Sequence, residues 1–288
     1  MKRNYSKLWR LIMNIGFLGP KGTFSEEALD VWIEKSGTAP EACTKIAFPT
    51  IIDVINAVGS QIDMGIVPIE NSLEGSVNTT IDCLIHEADA KIHAEVVLPI
   101  TQHLFAKEEI PFDKIKYVYS HPQALYQCRK FLMKNLPNAE LKEVSSTAEG
   151  ARIASESALP GVAAVGGISL VKLYNLKVIA NNIQDGKNNM TRFYVLSDKD
   201  AEPTGNDKTT IVFSTANRPG SLFACLKIFA DKNLNLTKIE SRPSRRVLGE
   251  YIFFIEVEGH RRIEPLKSAI EELKRISGFC KILGSYPR

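Results

Sequence analysis

The sequence predicts an α/β protein in two parts: a larger region with mostly parallel strands, then a small ferredoxin-like domain of order β-α-β-β-α-β. Three observations carry this reading. From Asn14 to about Ser197, short apolar runs alternate with amphipathic helical patterns, as in parallel strands joined by helices. Residues 198–207, "DKDAEPTGND", are polar and contain Pro and Gly, which marks a linker. Beyond it the order of elements changes. The chain has 288 residues, too many for one small domain, so about two domains are expected.

Taken in order, the candidate strands of the larger region are "NIGFLG" (14–19), "MGIVPI" (64–69), "KYVYS" (116–120), "LKEVS" (141–145), "VAAVG" (162–166) and "KVIA" (177–180). Helical patterns such as "EEALDVWIEK" and "ALYQCRKFLMK" lie between them. A longer run, "KIHAEVVLPITQHLFA" (91–106), breaks the rhythm and reads as a crossing from one lobe to another near 95–100, with a return near 180. Over 208–288, "TTIVFST" reads as a strand, and Leu222, Leu226 and Phe229 share helical spacing. "NLTKIES" and "GEYIFFIEVEG" read as antiparallel strands, the second alternating Tyr251, Phe253, Ile255 and Val257. Leu266, Ile270 and Leu273 mark a second helix before a last strand near "FCKILG". Residues 1–13 read as an N-terminal extension, basic and then apolar too briefly for a signal peptide, with Met13 a candidate start.

Composition narrows the function classes. An apolar fraction of 44% and a charged fraction of 24% are those of an ordinary globular protein. A net charge of +3 without basic runs interleaved with aromatics gives no nucleic-acid footprint. Cys43, Cys83, Cys128, Cys225 and Cys280 form no C-x-x-C pair, and the histidines show no ligand spacing. That argues against a metal site or disulfide framework and for a cytoplasmic chain. No apolar run is long enough to span a membrane.

The chemistry is read from the loops that follow the strands, where ligands of open parallel sheets bind. "GFLG" runs into "PKGTFSEEA", where Thr23 and Glu26 have capping-box spacing; "EVS" runs into "STAEGA", where Ser146 and Glu149 repeat it. "GIVPI" runs into "ENSLEGSVNTT" and "YVYS" into "HPQAL". Each pairs small hydroxyls, amides or His with a helix start, which favours an anion; each alone is equally an N-cap. Of Arg129, Arg152 and Arg192, the only arginines between 14 and 199, the first two fall within helical patterns. Arg192 therefore stands at the cleft edge, where its planar fork suits a carboxylate. No P-loop or G-x-G-x-x-G favours a nucleotide.

"GFLGPKGTFSEEA", "GIVPIENSLEGSV", "SHPQALYQC" and "NIQD…NMTRFYVL", followed by "ESRP", together resemble the signature runs of the prephenate dehydratase family with its C-terminal ACT regulatory domain. The resemblance covers nearly everything from residue 14 onward. It implies a two-lobed catalytic domain like a type 2 periplasmic binding protein, closing over prephenate. The reaction is decarboxylation with loss of the ring hydroxyl to give phenylpyruvate, in phenylalanine biosynthesis, with no cofactor and no metal. It implies Thr191, Arg192 and Phe193 as catalytic residues: Thr191 as hydrogen-bond donor to the leaving oxygen, Arg192 as carboxylate clamp, Phe193 as an apolar wall or a core aromatic. Thr23, Ser25, Asn71, Ser72, His121 and Gln123 are implied for substrate positioning. Glu70 and Glu74 are read as surface or capping carboxylates before bases. In the ACT domain, Asn217, Gly220, Ser221 and Leu222 with Glu240, Ser241, Arg242 and Pro243 are implied as an allosteric phenylalanine site. A homodimer or homotetramer through ACT domains is expected, in the monofunctional arrangement. The rival readings are an arogenate dehydratase, a solute-binding protein of the same two-lobe fold, and a non-catalytic ACT regulator.

Overall fold

The structure is a computed structural model that describes residues 12–186, 188–245 and 250–288. The reading of residues 1–11 as an extension lies outside the described residues, as does Gly249 of the penultimate strand. The first lobe comprises β1 (Met13–Leu18), α1 (Phe24–Ser36), β2 (Cys43–Phe48), α2 (Ile51–Ala57), β3 (Met64–Asn71), β4 (Gly75–Ser76), α3 (Asn78–His86) and β5 (Lys91–Pro99). The chain then crosses into a second lobe of β6 (His103–Ala106), β7 (Tyr117–Ser120), α4 (Pro122–Gln127), α5 (Arg129–Asn135), β8 (Glu140–Glu143), α6 (Thr147–Glu156), β9 (Val162–Gly166), α7 (Ile168–Leu173) and β10 (Lys177–Ala180). It returns to the first lobe as β11 (Met190–Ser197). The C-terminal domain is β12 (Asp207–Ser214), α8 (Ser221–Asp231), β13 (Leu236–Pro243), β14 (Tyr251–Glu258), α9 (Leu266–Ile276) and β15 (Phe279–Pro287).

The lobe sheets run β2-β1-β3-β11-β5, with β4 on β3, and β10-β6-β9-β7-β8. The strands built as strand–helix–strand units are parallel: β1 with β2 and β3, and β7 with β8 and β9. The segments that carry the chain between lobes pair antiparallel, β11 with β3 and β5, and β6 with β9 and β10. Each sheet is thus mixed, because a chain that leaves a lobe and comes back must run against its neighbours. Besides the two-residue β4, one described strand, β2, has no counterpart among the predicted ones. It is an edge strand with no fully buried residue, so "CTKIAF" lacks the apolar signal of an interior strand.

Along β11, successive side chains take opposite faces. Phe193 and Val195 join the core beneath α1, with Ala28, Leu29, Trp32 and Ile33. Tyr194 and Leu196 join a different core, shared with α2, α3 and the C-terminal domain. That domain is a four-stranded antiparallel sheet of order β13-β14-β12-β15. Its helices α8 and α9 cover Ile211, Phe213, Ile255 and Val257, while Val212, Ile252, Phe254, Leu283 and Tyr286 on the other face pack on the first lobe. At Gly284, a Cβ would collide with the backbone of Ile92, so glycine is required for β15 to lie against β5. The segment before β12 is packed rather than loose: Asp200 pairs with Arg261, and Ala201 is buried.

Candidate active site

A cleft of about 360 Å³ opens between the lobes, within the range of small-molecule sites. The first lobe contributes Leu18, Gly19, Thr23, Phe24, Ser25, Pro68 and Asn71; the second contributes His121, Gln123, Ala124, Gln127, Ser145, Ser146 and Thr147. Ile100 and Gln102 come from the outward crossing, and Thr191 and Phe193 from the return. No Asp, Glu, Lys or Arg is among these lining residues.

Two helices begin at this cleft from opposite lobes. Thr23 caps α1, its Oγ1 accepting from Glu26 N at 3.4 Å, and Glu26 Oε2 accepts Gly22 N at 2.6 Å. Ser146 caps α6, its Oγ accepting from Glu149 N at 3.0 Å, while Glu149 Oε2 accepts Ser145 N at 3.0 Å. The first two N–H groups of each helix have no acceptor within the helix. They leave Phe24, Ser25, Thr147 and Ala148 as donors with the positive helix dipole behind them, about half a charge each. Neutral donors of this kind hold carboxylates without a lysine or arginine.

Thr191 sits at the start of β11, opposite Asn71 on β3. Asn71 Nδ2 donates to Thr191 Oγ1 at 2.9 Å and to Asn189 Oδ1 at 2.8 Å. Asn71 Oδ1 in turn accepts from the backbone N–H groups of Leu73 and Glu74 at 2.9 and 3.2 Å, which fixes the amide's orientation. The threonine oxygen is therefore an acceptor toward Asn71, and its O–H hydrogen remains for a ligand in the cleft. His121 caps α4, with Nδ1 accepting from Gln123 N at 3.3 Å, which puts the neutral ring's proton on Nε2. Glu74 of the first lobe accepts from Gln123 Nε2 and, at 3.5 Å, from Gln127 Nε2 of the second, a polar tie across the mouth of the cleft.

Several expected site residues are brought together: Thr23, Ser25, Asn71, His121, Gln123, Thr191 and Phe193 all line the cleft. Arg192 does not. Strand alternation turns it away from Thr191 and Phe193 to the opposite face of the sheet, where Glu70, Glu95 and Glu256 hold its guanidinium. It cannot clamp a carboxylate in the cleft, and Glu70, its partner there, is equally remote from the chemistry. Burial alone would lower the Arg192 pKa, but the bonds to Glu256 and Glu70 outweigh it and hold it above the usual guanidinium value. Ser72 is also outside the cleft; its hydroxyl donates to Asn188 O and accepts from Met190 N, tying the return segment to the first lobe.

The expected effector residues divide in the same way. Asn217, Gly220, Ser221 and Leu222 open α8, with Gly220 at φ 82° as its N-cap and Ser221 Oγ buried without a partner among the described residues. On β13, Glu240 and Arg242 lie opposite Phe254 and Ile252, on the face that meets the first lobe, whereas Ser241 and Pro243 lie opposite Phe253 and Tyr251. Glu240 accepts from Ser76 Oγ at 2.6 Å, and Arg242 donates to Asp82 Oδ1 at 2.7 Å. These two side chains therefore dock the domain and do not face α8. Gln102, Gln127, Ser145 and Thr147 were not among the expected site residues. "SSTAEG" shows only as a cap in the sequence, and nothing around Gln102 distinguishes it.

A family model for prephenate dehydratase matches residues 15–201, and a model for the ACT domain matches residues 209–275. The chain belongs to the prephenate dehydratase family. The bifunctional chorismate mutase/prephenate dehydratase of Aquifex aeolicus (strain VF5) is 42% identical over 278 residues, covering 96% of this chain and 74% of that relative. The prephenate dehydratase of Methanocaldococcus jannaschii is 41% identical over 273 residues, covering 93% and 96%. The crystal structure of prephenate dehydratase in complex with L-Phe from Arthrobacter aurescens superposes with a TM-score of 0.84 at 36% identity, covering 96% of this chain and 90% of that one. Among the described residues of this prephenate dehydratase family member, no helix is long and apolar enough to cross a membrane.

Proposed function

We propose that the cleft converts prephenate to phenylpyruvate, carbon dioxide and water, and that phenylalanine bound to the ACT domain regulates it. The observation that carries this reading is the pairing of a Thr191 hydroxyl, held as acceptor by Asn71, with two helix N-termini from opposite lobes. Prephenate has two carboxylates and a ring one step short of aromatic. The N-termini of α1 and α6 suit the two carboxylates, and Phe193 with Ile100 and Pro68 suits the ring.

The ring carboxylate leaves as carbon dioxide and its electron pair enters the ring. The ring C–O bond breaks, and the departing hydroxide takes a proton from solvent to leave as water. Threonine is too weak an acid to ionise readily, so the Thr191 hydroxyl acts as hydrogen-bond donor to the leaving oxygen while the bond breaks. Positioned acid help of this kind contributes about 10²–10⁴-fold. The departing carboxylate gains from being held weakly, since ground-state binding does not accelerate the step. Neutral N–H donors meet that requirement better than an arginine would.

The testing experiment assays the purified protein with prephenate and with arogenate, each with and without phenylalanine. Turnover of prephenate, inhibited by phenylalanine, is expected. Preference for arogenate would assign the pyruvyl subsite differently; turnover of neither would leave a carboxylate-binding protein of the same fold. A cytoplasmic homo-oligomer formed through ACT domains accompanies this reading, favoured by the exposed Ile239 on edge strand β13 and exposed Phe223 on α8, and light scattering on the full chain tests it.

A further inference from the structure

Thr191 and Arg192 are adjacent in the chain but serve opposite faces of β11, so what holds Arg192 also sets Thr191. Arg192 donates from Nη1 to Glu256 Oε2 at 2.7 Å and from Nη2 to Glu256 Oε1 at 2.8 Å, a two-point grip on the ACT domain. It also reaches Glu70 on β3 at 2.7 Å and Glu95 on β5 at 3.2 Å. Lys208 joins Glu95 at 2.7 Å and Glu256 at 3.5 Å, and Lys238 joins Glu70 at 3.1 Å. Tyr194 donates its O–H to Glu256 Oε1 at 2.6 Å. Glu256 itself is 1% exposed.

A buried cluster of this kind adds little stability over a well-packed apolar one. What a planar guanidinium adds is orientation, since both of its bonds to one carboxylate must be met together. The pairing of β11 with β3 shifts register between Arg192 and Phe193, where Ile69 is the extra residue on β3, a bulge in the partner strand beside Thr191. Arg192 thus adds an anchor on the opposite face to the Asn71 bond and the strand pairing that hold Thr191 in place.

We propose that Glu256, a residue of the ACT domain, is a positioning residue for the cleft reaction: through Arg192 it fixes the start of β11 and with it the Thr191 hydroxyl. Any displacement of β14 reaches Thr191 through two adjacent residues, and an effector on the ACT domain alters turnover by moving Glu256. This rests on Thr191 as donor in the proposed function.

The test uses the full chain with prephenate. Glu256→Gln keeps the side-chain shape and removes the charge; Asp82→Asn weakens the Arg242 contact at the same domain interface but away from β11. For Glu256→Gln, kcat is expected to fall on the order of tenfold with KM held, because misplacement of less than an ångström is costly at a reacting centre. Asp82→Asn keeps kcat, and Glu256→Asp recovers part of the loss. Unchanged kcat in Glu256→Gln, or equal falls in Glu256→Gln and Asp82→Asn, would overturn the proposal. Should Glu256→Gln fail to fold, Tyr194→Phe removes only the hydroxyl on Glu256: a several-fold lower kcat supports the role and an unchanged one refutes it. A Thr191→Val enzyme of normal turnover defeats the role given to Thr191 and this inference with it, whereas inactive Thr191→Val beside normal Glu256→Gln defeats only this inference.

Discussion

Replacing Thr191 by valine keeps the shape and the strand preference of the side chain and deletes one hydroxyl. The structure separates its two effects. On the folded state, Asn71 Nδ2 loses one acceptor but keeps Asn189 Oδ1 at 2.8 Å, so no donor is orphaned and the cost is about 1 kcal/mol. In a chain of this size that lowers Tm by only about 2–4 °C. On the reaction, loss of the only group proposed to donate to the departing oxygen removes about 10²–10⁴-fold of kcat, or about 3–5 kcal/mol of barrier. Initial rates of phenylpyruvate formation over a range of prephenate concentrations, with a melting curve on the same sample, give both quantities. A valine enzyme within about threefold of wild-type kcat would refute the assignment, since positioned acid help cannot be that small.

Arg192→Lys loses the planar fork and leaves Glu256 incompletely paired; a lower Tm and lower kcat with unchanged prephenate KM are expected, and a raised KM alone would return Arg192 to the substrate. Thr147→Pro removes an N–H at the first position of α6, where proline is tolerated, and Ser146 before it is already extended. KM for prephenate should rise about tenfold with Tm retained, as binding data would show; an unchanged KM would mean that α6 holds no carboxylate. Burial would raise the Glu256 carboxyl, but the Arg192 bonds outweigh it and hold it below the ordinary value of 4.5, and Glu70 is lowered likewise. Both groups then contribute stability that is present above pH 4.5 and lost as pH falls through their folded values. Melting temperature against pH should stay level from neutrality toward 4.5 and decline below it, with a smaller decline in Glu256→Gln.

The sequence alone determined the strand–helix rhythm, the crossing near Pro99, the ferredoxin-like domain and both helix caps at the cleft, since all of these are written in local periodicity and capping residues. Thr23, Asn71, His121 and Thr191, which line the cleft, stood out in the sequence through the motifs that contain them. Tertiary structure alone decided where Arg192 points. Three adjacent residues, Thr191 to Phe193, suggest one shared site when read along the chain, but alternation along β11 sends the middle one to the other face. What waits there, Glu256, lies 64 residues away in another domain, and no local pattern announces it. The same alternation on β13 separates Glu240 and Arg242 from Ser241 and Pro243. Which face meets the catalytic lobe depends on the docking of two sheets, a long-range packing choice that short-range spacing does not encode.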